Sequence, residues 1–266
     1  MPTYRDEAVV LRTQKLGEAD RIITLLCRRH GKVRAVARGA RRISSRIGGR
    51  LEAFSHVDVQ FAAGRSLDVV TQVDTLHSFD AALRVDYAGF TAGQVMLETA
   101  DRLVAVEGVP ALRQFRLLVG GLRTLGSGTP LGPRPATMVL DSYLLRALSI
   151  AGYAPALESC ARCGASGRHP GFAPEAGGMV CASCRPPRSA LPSREAWALL
   201  AALTSGDWAA TELADDRTGR EVSGLVAAYA GWYLDRGLRS LPLVDRGGRE
   251  TARGPGRPAH SEENHR

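Results

Sequence analysis

Two cysteine pairs, Cys160-x-x-Cys163 and Cys181-x-x-Cys184, stand 17 residues apart, and they constrain the fold of this chain more than any other feature. Two residues between cysteines let each pair curl both sulfurs toward one point, and two such knuckles complete the tetrahedron that zinc accepts. Four thiolates leave no open position for a catalytic water. The ion is therefore expected to be a structural zinc that contributes folding energy to the excursion from Gly164 to Val180. A redox dithiol pair and simple buried thiols are the competing readings. His169 lies between the pairs, but four thiolates make it unnecessary as a ligand. With four of the five cysteines in tight pairs, a metal site in a reducing compartment fits better than a disulfide framework.

The second constraint is charge. Between Arg28 and Arg50 the chain carries nine basic residues and no acid, and the formal net charge of the whole is +8. Contacts from Lys and Arg to phosphate release condensed counterions, so a concentration of this kind favours a nucleic-acid partner over a merely solvated face. The surrounding pattern is β. Ala8–Leu11, Arg21–Cys27, Lys32–Arg38, the alternating Val57–Phe61 and Leu67–Val73 read as five short strands broken by turns such as Arg29-His30-Gly31-Lys32. Five strands with a long loop between the third and fourth predict a small OB-type barrel, with an SH3-like barrel as the nearest competitor. In the OB reading Lys32, Arg34 and Arg38 fall on strand three and Arg41, Arg42, Arg46 and Arg50 on the loop that follows, where such barrels meet oligonucleotides. Glu18 and Asp20, beside Arg21, read as surface ion-pairing acids.

After about Asp80 the apolar period changes from two to 3.6. Helices are expected through Phe90–Val104, from Pro110 through Leu122, through Val139–Ile150, after a Ser193 cap through Leu203, and over Leu225–Leu234. The fold class is thus α+β: an OB domain over residues 1–80, then a helical domain over 81–245 with a zinc module inserted at 157–188. The tail, residues 246–266, is rich in Gly, Pro, Arg and Glu and is expected to be disordered. No apolar run reaches a membrane span and no apolar leader follows Met1, so a cytoplasmic protein without membrane contact is expected.

No motif argues for an enzyme. A nucleic-acid deaminase needs His-x-Glu and Pro-Cys-x-x-Cys in one site, but Ser159 and Val180 precede the two pairs, and the lone His260-Ser261-Glu262 lies in the tail. There is no Walker-type phosphate loop and no nucleophile elbow. A metalloenzyme would need an open metal position, which four cysteines do not leave.

Taken together, Gly17-Glu18-Ala19-Asp20-Arg21-Ile22, His30-Gly31-Lys32-Val33, Ala37-Arg38-Gly39-Ala40-Arg41-Arg42 and Ser45-Arg46, followed by helices and a four-cysteine insertion, resemble the bacterial RecO family of DNA repair and recombination proteins. The resemblance runs to about Leu243. It implies an N-terminal OB-fold, a helical domain holding the zinc module, and no turnover. It also implies binding of single- and double-stranded DNA, strand annealing, and, with RecR, loading of RecA onto DNA coated by SSB, whose acidic tail such proteins contact; a nucleoid-associated location follows. An acidic, apolar-ended tail requires a hydrophobic groove rimmed by Arg, and Arg113, Arg116, Arg123 and Arg146 lie on or beside apolar helical faces. The only aromatics between Glu7 and Val73 are Phe54 and Phe61, so affinity is expected from phosphate contacts, leaving base edges free for annealing. The competing reading is a zinc-ribbon protein of transcription or RNA binding.

Overall fold

The computed structural model describes residues 2–79, 83, 86–234 and 238–246. Strands β1 (Thr3–Leu16), β2 (Asp20–Cys27), β3 (Gly31–Ala37), β4 (Ser55–Ala62) and β5 (Asp68–Ser78) close into a barrel in the order β1-β2-β3-β5-β4. Only the β3–β5 contact is parallel, and β1 closes the barrel by pairing antiparallel with β4. This is the five-stranded Greek-key closure of an OB-fold. The strands run longer than their apolar cores suggest; β1 extends from Thr3 to Leu16. Gly31, at φ 63°, supplies the left-handed conformation that brings β3 back against β2.

β1 is buried on both sides. Ala8 and Val10 point into the barrel with Ile23, Leu25, Val33, Val57 and Phe61, while Val9 and Leu11 point outward and join Leu26 and Phe54 in the core of the helices. A bulge between Val10 and Arg12 interrupts the pairing with β2 at this point. Phe54 takes φ 70° and its ring lies 5.5 Å from Phe90. Gly93 makes room for it, since a Cβ there would stand 2.8 Å from the Phe54 ring.

Among the described residues five α-helices follow: α1 (Tyr87–Leu103), α2 (Leu112–Ser127), α3 (Ala136–Ile150), α4 (Arg194–Ser205) and α5 (Asp216–Tyr233). Ser193 caps α4 as its sequence position suggests, accepting from the Ala196 N–H at 3.1 Å. The last helix begins at Asp216 rather than near Leu225, because Asp215 caps it, accepting from Thr218 N–H at 2.8 Å, and its polar first turns hide the apolar period. Between α3 and α4 the chain forms a small hairpin, β6 (Gly171–Ala173) and β7 (Gly178–Val180). No helix is long and apolar enough to cross a membrane among the described residues. Arg246, expected to open the tail, instead donates to Asp141 at 3.0 Å. Burial pushes that carboxyl up to about 6 against the pull of Arg246. Residues 247–266, including His260 and Glu262, lie outside the described residues.

The barrel and the helices are tied by charge as well as by apolar contact. Asp101, near the end of α1, accepts from Arg12 at 2.9 Å and from the Lys32 ammonium at 3.1 Å, while its backbone carbonyl takes a second Lys32 bond at 2.7 Å. The chain leaving α1 then lies across β3: Gly108 N–H donates to Lys32 O at 2.9 Å, and a Cβ on Gly31 would fall 1.8 Å from Val109 O. The Lys32 side chain is only 11% exposed, so removing the Asp101 carboxylate leaves a nearly buried ammonium without its counter-charge, held by the backbone carbonyl alone. Asp101→Ala is expected to cost about 1–3 kcal/mol, read as a lower urea midpoint with the slope unchanged.

Candidate metal centre and nucleic-acid interface

The four cysteine sulfurs converge. All lie within 4.8 Å of one another, and those of Cys163 and Cys181 are 3.9 Å apart. Zinc–sulfur bonds of about 2.3 Å set tetrahedral edges of about 3.8 Å, so the cluster has the dimensions such an ion needs. Each knuckle is a short turn, over residues 161–163 and 182–184. Cys160 N–H donates to Ala165 O at 2.8 Å and Ala161 N–H to Met179 O at 2.7 Å, which locks the first knuckle onto the hairpin. Backbone N–H groups of Cys163, Cys181 and Arg162 lower the Cys160 thiol to about 5, whereas hydrogen bonds to the sulfurs of Cys181 and Cys163 push Cys184 up to about 12. Four sulfurs this close cannot all ionise alone, and a dication would take the place of the shared protons. The donor set therefore fits a metal ion held entirely by cysteine. His169 is outside the cluster, with Nε2 2.7 Å from Ala165 O. Cys27 is fully buried in the barrel.

The module is packed onto the helices. Phe172 and Met179 enter the helical core, the Phe172 ring lying 5.8 Å from Tyr229 of α5. Trp197 of α4 donates to Leu157 O at 2.9 Å.

The basic stretch divides in two. Acids distant in sequence pair with five of its nine cations: Glu7 with Arg28 (2.7 Å), Asp6 with Arg29 (3.4 Å), Asp101 with Lys32 (3.1 Å), Glu107 with Arg34 (3.6 Å) and Asp74 with Arg50 (3.7 Å). These acids come from β1, β5, the end of α1 and the segment that follows it, so a scan of residues 28–50 could not find them. Lys32 and Arg34 face the chain that crosses β3, and Arg50 also donates to Val73 O at 2.8 Å. Arg38, Arg41, Arg42 and Arg46 are exposed, and among the described residues no ion pair involves them.

The loop that carries these four is built rather than slack. Gly39 N–H donates to the Asp20 carboxylate at 2.7 Å, Arg41 N–H to Ala19 O at 2.9 Å, and the Arg41 guanidinium to Gly17 O at 2.9 Å. Asp20 thus holds the loop rather than pairing with Arg21, whose partner is Glu52. Ala40 and Gly48 are buried against each other, a Cβ on Gly48 falling 2.1 Å from Ala40 O. Phe54 and Phe61 are 1% and 0% exposed, which withholds both from base stacking. The loop thus presents four exposed arginines that lack an acidic partner among the described residues, one of them, Arg41, already bonded to a backbone carbonyl.

Of the helical arginines, Arg113, Arg116 and Arg146 line one groove between α2 and α3, of about 470 Å³, whose walls include Leu117, Val139, Tyr143 and Ile150. Arg123 does not line it. Thr204 and Trp208 close the groove from the far end of α4, a contribution their sequence spacing does not announce.

Residues 1–79 match the family model described as recombination protein O N terminal, and residues 84–242 match that described as recombination protein O C terminal. Curated relatives named DNA repair protein RecO are similar over most of the chain. That of Cutibacterium acnes is 59% identical over 246 residues, spanning 92% of this chain and 100% of the relative. The Thermobifida fusca protein is 60% identical over 246 residues with the same coverage, and the Streptomyces coelicolor protein 52% identical over 252 residues, covering 92% and 100%.

One metal ion per chain is the expected content of purified protein. Cys181→Ala should lose it and melt at a lower temperature, because the module's own buried cluster is small, Cys160, Ala173 and Val180, and a metal would close its fold. Metal analysis paired with thermal melting checks both, and an unchanged melt in a metal-free variant would refute the structural role.

Proposed function

The chain belongs to the RecO family, and from that premise we propose that it acts in DNA repair and recombination by holding DNA backbones on the loop that carries Arg38, Arg41, Arg42 and Arg46. The observation behind this assignment is the contrast within one basic stretch, five of whose cations have acidic partners while these four have none among the described residues. Exposed ion pairs are worth about 0–1 kcal/mol, so Arg28 and Arg29 remain able to exchange a carboxylate for a phosphate. Lys32 is not free in this sense, because its pair is nearly buried and binds the two domains. Single strands and duplexes alike present phosphates to such a loop. With the aromatic rings of the barrel buried, base edges stay open, and two strands held this way are presented for annealing.

The metal is read as zinc in a structural role, held by Cys160, Cys163, Cys181 and Cys184. A borderline-soft ion saturated by four thiolates supplies folding energy and no reaction. The groove of Arg113, Arg116 and Arg146 is the proposed dock for the acidic, apolar-ended tail of SSB, since its arginines rim apolar walls. With RecR, a chain that binds both the tail and the exposed strand would open SSB-coated DNA to RecA. The RNA-binding alternative has no comparable support, given the family match.

Four phosphate contacts on a single strand should give a slope of log affinity against log salt of about −3, at roughly −0.7 per contact. Replacing Arg41, Arg42 and Arg46 together with Ala should flatten it by about two units and impair annealing without changing metal content. Wild-type slope and affinity in that variant would send the DNA site elsewhere.

For the groove, Arg116→Ala with Arg146→Ala should weaken binding of an SSB tail peptide about tenfold or more, two charge-assisted contacts being lost. Fluorescence anisotropy of labelled peptide reads this, and DNA affinity serves as the unaffected control.

A further inference from the structure

The loop of free arginines carries one residue that neither turn geometry nor packing explains. Ile43 is 108% exposed, against 38% for Leu16 and 52% for Leu76, the other large apolar side chains exposed on the barrel. Ser45 N–H donates to Arg42 O at 2.9 Å, which makes Arg42–Ser45 a β-turn with Ile43 at its second position. A β-branched side chain has no advantage there, where most residue types serve and Pro is favoured. Nor does Ile43 help the loop to close. The buried members of this segment are Ala40, Gly48 and Leu51, and Ile47 is the side chain packed against the barrel core.

The turn that presents Ile43 is held firmly. One successive turn is closed by Arg42 N–H on Gly39 O at 3.0 Å, and Ser45 Oγ accepts from Gly48 N–H at 3.1 Å. Together with the bonds to Gly17, Ala19 and Asp20, these contacts fix the apex relative to the barrel. The result is an exposed apolar tip at a hydrogen-bonded turn, with the exposed Arg41 and Arg42 before it in the chain and the exposed Arg46 after it. Bases project from the sugars that link successive phosphates, so a single strand whose phosphates meet these arginines has to turn its bases inward for them to reach the tip, which its free backbone torsions allow and a paired duplex does not.

We propose that Ile43 is an apolar wedge that seats against the unstacked bases of a single strand, and so gives this loop its preference for single-stranded over duplex DNA. The proposal rests on the assignment of the loop to DNA. Aliphatic side chains inserted at base steps separate neighbouring bases, and a flexible single strand yields to this far more readily than a stacked duplex does. Phosphate contacts alone carry no such discrimination, because both forms present them. Arginines therefore set affinity and salt dependence, and Ile43 sets the choice between strand forms.

The test compares wild type, Ile43→Ser, Ile43→Leu and the Arg41, Arg42, Arg46 triple Ala variant on a single-stranded oligonucleotide containing 2-aminopurine and on a blunt duplex. Ile43→Ser should bind the single strand about fivefold more weakly with an unchanged salt slope, fail to raise 2-aminopurine emission, and bind the duplex as wild type does. Ile43→Leu should retain both the affinity and the emission change. Equal losses on both DNA forms would mean that the loop itself was disturbed, and would overturn the wedge, as would wild-type behaviour of Ile43→Ser on the single strand. If the triple variant flattens the salt slope while Ile43→Ser is silent, the DNA loop stands and the wedge falls. A triple variant that keeps the wild-type slope removes the loop from DNA binding and the wedge with it.

Discussion

Burial of β1 on both faces is the constraint on which the rest of the molecule turns. Ala8 and Val10 fill the barrel while Val9 and Leu11 enter the helical core, so one strand belongs to two hydrophobic clusters at once. Fully burying each of Val9, Val10 and Leu11 is worth about 1.5–3 kcal/mol, and the bulge between Val10 and Arg12 lies where both faces are engaged. The shared strand fixes the helices against one side of the barrel. It also brings Asp101 to Lys32 and Arg12, and so decides which of the basic residues are covered.

That decision sharpens the electrostatics. A charge paired at 3 Å within a partly covered seam contributes little to the field at a distance, whereas an exposed arginine with no acid beside it contributes fully. Neutralising Lys32 and Arg34 along the seam leaves the positive field concentrated on the loop beyond β3. Asp20 is used differently: its carboxylate is spent on the backbone of Gly39, where it anchors the loop at some expense to the local positive field.

How much of this the sequence announces depends on the range of the interaction concerned. The cysteine spacing and the Ser193 cap are local signals, and both are met in the structure. The alternation of Val57, Val59 and Phe61 likewise gives β4 its inward face. The consecutive apolar run Ala8–Leu11 carries the doubly buried strand in plain view, because a half-buried strand would alternate. What stays hidden is long-range. Glu107 stands 73 positions from Arg34 and Asp101 69 from Lys32, so the acids that temper the basic stretch are visible only once the helices are docked. The same holds for Arg113, Arg116 and Arg146, which share a groove, and for Arg123, which does not: helical position alone does not say which face meets α3.

The metal module and the arginine groove, far apart in sequence, are mechanically linked. Phe172 seats the hairpin against Tyr229 of α5, and the chain leaving the second knuckle leads directly to the Ser193 cap of α4. Glu221 of α5 accepts from both the backbone and the hydroxyl of Ser193, at 2.8 Å each, so the start of α4 is pinned between module and helix. From there α4 runs to Thr204, and the following turn brings Trp208 to the groove, while Ser142 Oγ on α3 donates to Leu203 O at 2.8 Å. An unfolded module would free the first turn of α4 from Leu157 and from the hairpin, and the slack would reach the groove through a helix of only 12 residues. A metal held by the four cysteines would in this way bear on the groove, by fixing where one of its walls begins.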